Sequence, residues 1–266
     1  MEPFTIVICP GAFPLPRIYE PLIADFNERQ HTAICMVQQY HPTSSTQTLP
    51  TVNPDSEYLR HSVLDPLLSE GKDIVVFAHS YGGIYAPASL EGISKQERRA
   101  KGLEGGVVAV VLCAASIARK GTTALEAMLM EPDTIPGWTI YDESTGLVTF
   151  DKSAAKAMLF HDLPDEEADK LAERLSPQPY HCFTTPTHWD PYHSPAFRGK
   201  IGYIFTGGDR IVPLEAQRTY VEIGKIERTR MLEGSSHSPH IEQPGMLADT
   251  VLELVKEITE KTNCKL

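Results

Sequence analysis

A run of six residues, 73–78, constrains the fold of this chain more than any other segment. Five of its residues, Ile-Val-Val-Phe-Ala, are apolar at consecutive positions. A strand exposed on one face alternates apolar and polar residues, whereas a strand buried on both faces does not. The run therefore predicts a central strand of a parallel sheet that helices cover on both sides.

Short β-branched runs alternate with helical stretches along most of the chain, which is the pattern of a doubly wound α/β sheet. The predicted strands are residues 4–9, 33–37, 73–78, 107–113, 201–206 and 228–232. The predicted helices are residues 19–30, 56–70, 81–90, 214–223 and 245–260. We expect a mostly parallel, doubly wound sheet.

Residues 116–190 interrupt this alternation. Their predicted elements are a hairpin of residues 138–141 and 147–150 and two helices, residues 153–160 and 165–175. Ligands bind at the carboxyl ends of the strands in open α/β sheets, and an insertion there can cover them. We therefore expect an α/β core of residues 1–115 and 191–266 and an inserted lid, residues 116–190, which we call the cap.

Charge and composition exclude several classes of partner. The formal net charge is −11, and an acidic surface repels nucleic-acid phosphates and anionic lipids. No apolar run approaches the roughly 20 residues of a membrane helix, and the N-terminus lacks the basic region of a signal peptide. The five cysteines are odd in number and widely spaced, which favours a reducing, cytoplasmic location. We expect a small-molecule substrate, with no nucleic-acid or membrane partner.

The segment Ala-His-Ser-Tyr-Gly-Gly, residues 78–83, follows the central strand and precedes a helical run. It predicts a nucleophile elbow, a turn so tight that the residues two before and two after the serine must be small. Ala78 and Gly82 meet that requirement. Ser80 would then stand above the sheet at the N-terminus of the next helix. The alternative is an ordinary glycine-rich turn between a strand and a helix.

A serine hydroxyl becomes a useful nucleophile only when a base accepts its proton. His237 lies in the loop between the last predicted strand and the last helix and is the candidate base. His240 competes with it and is expected either at the surface or behind the base. Asp209 follows strand 201–206 and would orient the imidazole, unless it is a solvated loop residue beside Arg210.

An oxyanion hole requires two backbone N–H groups that point at the developing negative charge. Tyr81, the residue after the candidate nucleophile, would supply one of them. The other is expected from the loop after the first strand, where Gly11 permits a close approach of the backbone. We favour the N–H of Ala12, with Phe13 as the alternative.

These motifs resemble those of the α/β-hydrolase superfamily from about Phe4 to Lys261, with the order Ser, Asp, His that the superfamily shows. The chain is most similar in detail to the compact esterase branch with plant methyl esterases, hydroxynitrile lyases and related fungal hydrolases. That branch often carries His-Gly-Ala where this chain has Pro-Gly-Ala, residues 10–12. The resemblance implies an α/β-hydrolase fold without the N-terminal antiparallel hairpin. It also implies hydrolysis of a carboxylic ester or lactone through an acyl-enzyme, with no cofactor.

Other functions on the same fold stay open at this point. Hydroxynitrile lyases of the branch carry a lysine directly after the catalytic histidine, whereas this chain has Ser238, which counts against cyanide chemistry. The remaining alternatives are a non-hydrolytic lyase or cyclase that acts on a polyketide-type metabolite, a cofactor-free oxygenase, and a ligand receptor with an intact triad.

Aromatic and thioether side chains are concentrated in the cap. Those expected to line an apolar substrate pocket are Met128, Trp138, Phe160, Phe183 and Trp189. Such a pocket suits a small, moderately hydrophobic substrate, although the same residues would also pack the cap against the core. The cap can also contribute to a homodimer. The cluster of His181, His188, Asp190 and His193 has no recognised metal-ligand spacing, so no metal site is expected.

Overall fold

The computed structural model describes residues 3–13, 16–36, 52–131 and 134–263. Its strands are β1 (Phe4–Cys9), β2 (Thr32–Cys35), β3 (Asp73–His79), β4 (Gly106–Cys113), β5 (Thr139–Asp142), β6 (Leu147–Phe150), β7 (Gln178–Pro179), β8 (Ile201–Thr206) and β9 (Arg228–Leu232). Its α-helices are α1 (Glu20–Glu28), α2 (Val52–Tyr58), α3 (Asp65–Ser69), α4 (Gly82–Ala88), α5 (Lys95–Ala100), α6 (Ala124–Ala127), α7 (Lys152–Leu159), α8 (Asp165–Ala172), α9 (His181–Thr184), α10 (Leu214–Ile223), α11 (Pro239–Glu242) and α12 (Pro244–Asn263). None of these helices of the described residues has both the length and the apolar character that a membrane span requires.

Six parallel strands form the main sheet in the order β2-β1-β3-β4-β8-β9. The chain runs from β1 outward to β2 and then crosses to β3 on the other side of β1, so the direction of winding reverses there. At such a switch point the carboxyl ends of neighbouring strands open into a crevice. Cys9 at the end of β1 pairs with Ala78 near the end of β3. The loop after β1 and the turn after β3 are therefore neighbours.

The central strand is buried on both faces, as its continuous apolar run predicts. Val76 and Ala78 belong to the hydrophobic cluster on one face, and Val75 and Phe77 to the cluster on the other. Alternate side chains of a strand point to opposite faces, so every apolar residue of the run is buried in one cluster or the other. This arrangement confirms the predicted mostly parallel, doubly wound α/β sheet.

The predicted strands all occur, and differences lie at their ends and in the helices. The second strand covers residues 32–35 instead of 33–37, and residue 37 lies outside the described residues. One continuous helix was predicted for residues 56–70. In the structure the helical segment begins at Val52, and a π-helical stretch, Leu59–Leu64, separates α2 from α3. Apolar periodicity does not reveal an inserted π turn, because the apolar positions continue through it. The short helix α5 was missed, although Ser94 and Glu97 form a capping box at its start.

The cap contains α6 to α9 and a three-stranded sheet of order β5-β6-β7. β5 and β6 pair antiparallel, with Thr139 opposite Phe150, so the predicted hairpin is present. Phe150, Phe160 and Phe183 are buried in the same hydrophobic cluster as residues of the main sheet. The cap therefore packs directly on the carboxyl ends of the strands. The division into a core and a cap as separate units stays a prediction.

Gly82, at the start of α4, lies against the end of β1. A Cβ atom on Gly82 would lie 2.3 Å from the carbonyl oxygen of Cys9. Because that oxygen belongs to the backbone of a central strand, it cannot move without shifting the sheet. The small residue that the elbow motif requires at this position thus has a direct steric cause.

We expect Gly82→Ala to lower the free energy of unfolding by about 1–3 kcal/mol or more, the usual cost of overpacking a rigid core. Gly137→Ala is the matched control, since nothing lies within 4 Å of a Cβ at that glycine. Urea unfolding of both variants measures the difference. Equal stability of the two variants would contradict a steric role for Gly82.

Candidate active site

Ser80 occupies the tight turn between β3 and α4. Its backbone φ is +54°, a left-handed conformation that a non-glycine residue adopts only when the surrounding structure enforces it. The Ser80 N–H donates a hydrogen bond to the Cys113 carbonyl at 3.2 Å, which holds the turn against β4. The side chain of Ser80 is partly exposed and lines a pocket beneath the cap. The geometry is that of the predicted nucleophile elbow.

The structure brings Ser80, His237 and Asp209 into one hydrogen-bonded row, which we call the candidate triad. His237 Nε2 lies 2.9 Å from Ser80 Oγ, and His237 Nδ1 lies 2.8 Å from Asp209 Oδ2. A carboxylate only accepts, so Nδ1 carries the proton and Nε2 accepts from the serine hydroxyl. His237 and Asp209 are both buried. The row can therefore take the hydroxyl proton from Ser80 without contact with bulk water.

Asp209 is held as a carboxylate by its surroundings. Its Oδ1 accepts the N–H groups of Ile211 and Val212 at 2.8 and 2.9 Å, and its Oδ2 also accepts the Thr206 hydroxyl at 3.0 Å. Burial alone would raise the pKa of Asp209. The His237 imidazole and the backbone N–H groups lower the pKa by more than burial raises it, so the pKa lies below its usual 3.8. The alternative of a solvated loop aspartate is wrong, because the residue is buried.

Gln217 on α10 supports the aspartate loop and was missed by sequence reasoning. Its side-chain amide donates to the carbonyl oxygens of Thr206 and Val212 at 3.0 and 2.7 Å, and its Oε1 accepts the Thr206 N–H at 3.0 Å. The side chain is completely buried. A buried glutamine inside an amphipathic helix was the available signal, because a buried amide must find partners.

Two backbone N–H groups belong to residues that lie beside Ser80. Tyr81 lies at the N-terminus of α4, and Ala12 follows Gly11, whose Cβ position is only 3.0 Å from Ser80 Cβ. Within the described residues, neither the Tyr81 nor the Ala12 N–H donates a hydrogen bond. The Phe13 N–H instead points to Gln178 Oε1 at 3.5 Å. Ala12 is thus the more available of the two alternatives.

The pocket above Ser80 is narrow and mainly apolar, with a cavity volume of about 50 Å³. Four of the five predicted pocket residues line it: Met128, Trp138, Phe160 and Phe183. The prediction for Trp189 was wrong, since its ring packs edge-on against Phe197 at 6.0 Å instead of facing the pocket. Phe150 was missed. It stacks on Trp138 at 4.7 Å, a contact that the hairpin pairing creates.

Behind the candidate triad lie three buried aromatic residues, Tyr19, His79 and His240. His240 is 1% exposed and stacks on Tyr19 with ring centroids 4.2 Å apart. The alternative of a surface position for His240 is therefore wrong. Its two ring nitrogens have no hydrogen-bond partner among the described residues. Burial, aided by the neighbouring histidines, lowers the pKa of His240 well below 6.5, and burial together with His237 lowers that of His79 to about 3.

No group of three or more His, Cys, Asp or Glu side chains in the described ranges has an arrangement that could hold a metal ion. In the segment that the sequence singled out, His193 Nδ1 lies 3.5 Å from Asp190 Oδ1, and the His193 side chain is exposed. The described cysteines form no disulfide, and Cys264 lies outside the described residues.

The family model of the alpha/beta hydrolase family matches residues 6–250. The match spans most of the chain, so the protein belongs to the α/β-hydrolase family, as its motifs predict. Two fungal proteins are similar to it. "Alpha/beta hydrolase nvfD" from Aspergillus novofumigatus is 25% identical over 258 residues, covering 96% of this chain and 98% of that protein. "Probable hydrolase R7" from Phoma sp. is 25% identical over 260 residues, covering 95% and 98%.

Solved structures with similar folds include plant and bacterial enzymes. Polyneuridine aldehyde esterase is 15% identical, has a TM-score of 0.72 and covers 95% of this chain and 99% of its own. Tomato methylketone synthase I, complexed with 2-tridecanone, is 13% identical, has a TM-score of 0.74 and covers 97% and 100%. A pyrethroid hydrolase from Sphingobium faniae is 15% identical, has a TM-score of 0.71 and covers 95% and 97%. At these identities the likeness concerns the fold.

The buried histidines predict how stability depends on pH. Because the pKa values of His79 and His240 are lowered on folding, the unfolded chain takes up protons below about pH 6.5 that the folded protein does not. Stability should therefore fall as the pH decreases below about 6.5, and one proton per histidine limits each contribution to at most about 1.4 kcal/mol per pH unit. The depressed carboxylate of Asp209 adds its loss only below about pH 3.8.

His240→Phe keeps an aromatic ring stacked on Tyr19 and removes one of the two buried imidazoles. We expect the free energy of unfolding in urea, measured at pH 7, 6, 5 and 4, to depend less steeply on pH in this variant than in the wild type, by at most about 1.4 kcal/mol per pH unit. Equal slopes would show that His240 is protonated in the folded protein.

Proposed function

We propose that the protein is a serine hydrolase that cleaves a carboxylic ester or lactone of a small, moderately hydrophobic molecule through an acyl-enzyme. One observation carries the proposal. Ser80 stands at the base of an apolar pocket, hydrogen-bonded to the buried His237–Asp209 pair and flanked by two N–H groups without partners among the described residues. Nucleophile, base and oxyanion donors are the parts that acyl transfer requires.

In the first half of the reaction, Ser80 Oγ attacks the carbonyl carbon and its proton passes to His237 Nε2. The carbonyl oxygen becomes an oxyanion, which the N–H groups of Tyr81 and Ala12 stabilise. Asp209 stabilises the positive charge that develops on the imidazole. His237 then protonates the leaving alkoxide as the carbon–oxygen bond breaks, so that the alcohol departs and the acyl group remains on Ser80.

In the second half, His237 takes a proton from a water molecule, and the resulting hydroxide adds to the acyl carbon. The same N–H groups hold the second oxyanion. When the tetrahedral intermediate collapses, the proton returns from His237 to Ser80 Oγ and the carboxylic acid leaves. For a lactone, acid and alcohol remain joined in one product. No step requires a group beyond the side chains and backbone already described.

The pocket lining supports an uncharged, moderately hydrophobic acyl or aryl group. No Asp, Glu, Lys or Arg side chain is among the described residues that line it. A cavity of about 50 Å³ holds a few water molecules, whereas pockets for drug-sized ligands reach several hundred. Cap side chains such as Trp138 and Met128 must therefore move when a larger substrate enters. The hydrolase names of the two fungal relatives agree with the general class.

We expect a fluorophosphonate to form a single covalent adduct on the wild type and none on Ser80→Ala, as measured by intact-mass analysis. The reagent phosphonylates an activated serine, and Ser80 is the only serine of the described residues with a hydrogen bond to the side chain of the candidate base. Ser116→Ala is the matched control: Ser116 lines the same pocket, but its hydroxyl interacts with Tyr220 instead of a histidine. This control should keep the adduct. An adduct that persists on Ser80→Ala would refute the assignment.

Hydrolysis is separated from lyase or cyclase chemistry by the origin of the product oxygen. Turnover of an ester panel in water enriched in oxygen-18 should place one labelled oxygen in each acid product, since water attacks the acyl-enzyme. Products without label would exclude hydrolysis of that substrate. Labelling of Ser80 without turnover of any ester or lactone would favour a receptor.

We expect Asp209→Asn to lower kcat on the best ester by about 10³- to 10⁴-fold, because an amide at this position favours the wrong tautomer of His237. Asp162→Asn is the control, since that exposed carboxylate lies in the cap and accepts the Ser236 N–H, close to His237 in sequence, at 3.3 Å. Its kcat should change by less than about threefold. Steady-state kinetics measures kcat in both variants. Comparable losses of kcat would mean that Asp209 acts only through its negative charge near the site and not by orienting His237.

A further inference from the structure

We propose that Tyr19 and His79 are positioning residues that set two loops against Ser80 through one continuous row of buried hydrogen bonds. The first is the oxyanion loop, residues 10–13, and the second is the His237 loop, residues 233–238. The inference rests on the proposed function, because it concerns the geometry of that same site. It assigns a role to two buried polar side chains that the reaction itself does not use.

The row has three links. The Gly11 N–H donates to Tyr19 Oη at 3.0 Å, Tyr19 Oη and His79 Nδ1 are 2.7 Å apart, and His79 Nε2 lies 2.7 Å from the carbonyl oxygen of His237. Tyr19 and His79 are 0% and 2% exposed. The row thus runs from the oxyanion loop, through the residue that precedes Ser80, to the backbone of the candidate base itself.

The two backbone ends fix the direction of every proton in the row. A carbonyl oxygen only accepts, so His79 Nε2 must carry the hydrogen, and in the neutral ring Nδ1 must accept. The Tyr19 hydroxyl therefore donates to Nδ1 and accepts from the Gly11 N–H. The lowered pKa of His79, about 3, and the raised pKa of the buried Tyr19 hydroxyl keep both groups in these neutral forms. Only one arrangement of protons satisfies all the atoms.

The single peptide group between Pro10 and Gly11 in the oxyanion loop is held at both its N–H and its carbonyl oxygen. Tyr19 binds the N–H of Gly11, while the Tyr85 hydroxyl donates to the Pro10 carbonyl at 3.1 Å. The next N–H along the chain is that of Ala12. Oxyanion donors act only within about 2.7–3.1 Å of the developing charge, and a misplacement of about 1 Å can cost about 100-fold in rate. A small shift of Gly11 would therefore displace the Ala12 N–H and weaken its hydrogen bond to the oxyanion.

Loss of the row should weaken transition-state binding more than substrate binding. We expect Tyr19→Phe, which removes one oxygen atom, to lower kcat on p-nitrophenyl acetate by about tenfold, the effect of one buried hydrogen bond, with little change in KM. The affinity for a trifluoromethyl ketone should fall by the same factor. That reagent accepts Ser80 Oγ at its carbonyl carbon and places a real oxyanion in the hole, with the serine proton on His237.

Tyr203→Phe is the matched control. Tyr203 is also completely buried, and its hydroxyl donates to a backbone carbonyl, that of Ala115, at 2.9 Å. Thermal unfolding should show similar losses of stability in both variants. Only Tyr19→Phe should lose kcat and affinity for the trifluoromethyl ketone. Equal kinetic parameters in the two variants would overturn the inference and leave Tyr19 as a core residue.

A second pair of variants tests the middle of the row. In His79→Gln the side-chain amide has a donor group and an acceptor group, as the neutral imidazole has, whereas the side chain in His79→Leu has neither. We expect the glutamine variant to retain at least about ten times the kcat of the leucine variant once both are shown to be folded by circular dichroism. Equal kcat values would also overturn the inference. Ser80→Ala, assayed in the same series, separates this outcome from failure of the proposed function, because turnover that survives in Ser80→Ala refutes the proposed acyl-enzyme on Ser80.

Discussion

The close contact between the carboxyl ends of β1 and β3 is the constraint on which the site depends. Gly82 lies against the Cys9 carbonyl, and Gly11 lies against Ser80, so two adjacent strands bring the candidate nucleophile and the proposed oxyanion loop to one point. A Cβ on Gly82 would force the backbone of β1 to move, and a Cβ on Gly11 would press on the Ser80 side chain. The strained backbone of Ser80 persists because both flanking strands and α4 are fixed by burial. Packing of the central sheet is thus the source of the site's geometry.

Buried polar groups around this contact explain why the site is rigid. Asp209 accepts four hydrogen bonds, and Gln217 fixes the strand end from which its loop starts. On the other side, Tyr19 and His79 join the oxyanion loop to the backbone of His237. A buried polar atom that loses its partner costs about 1–3 kcal/mol, so each network resists distortion as a unit. Hydrophobic contacts alone would define the distances less sharply.

Sequence patterns predicted the features that depend on neighbours along the chain. Ser80 was predicted because the elbow is a local motif, and His237 and Asp209 because strand ends converge at one edge of a parallel sheet; the structure places the three side chains together. The row through Tyr19 joins residues that are far apart in sequence, which no local pattern encodes. Gln217 bonds to Thr206 and Val212, which are near it in sequence, and it was missed because its burial was not recognised. Trp189 was misassigned for a related reason. Composition shows that the cap is aromatic, but only its fold decides which rings face the pocket.

The cap touches both loops that carry the candidate base and acid. The Arg210 guanidinium donates to the Ala157 carbonyl of α7 at 2.9 Å, and Asp162 accepts the Ser236 N–H. A substrate larger than the cavity must displace cap side chains such as Trp138 and Phe150, which stack on each other above Ser80. Directional hydrogen bonds thus join the cap to the loops of the candidate triad, whereas the stacked rings of Trp138 and Phe150 line the pocket through apolar contacts, which impose no fixed direction.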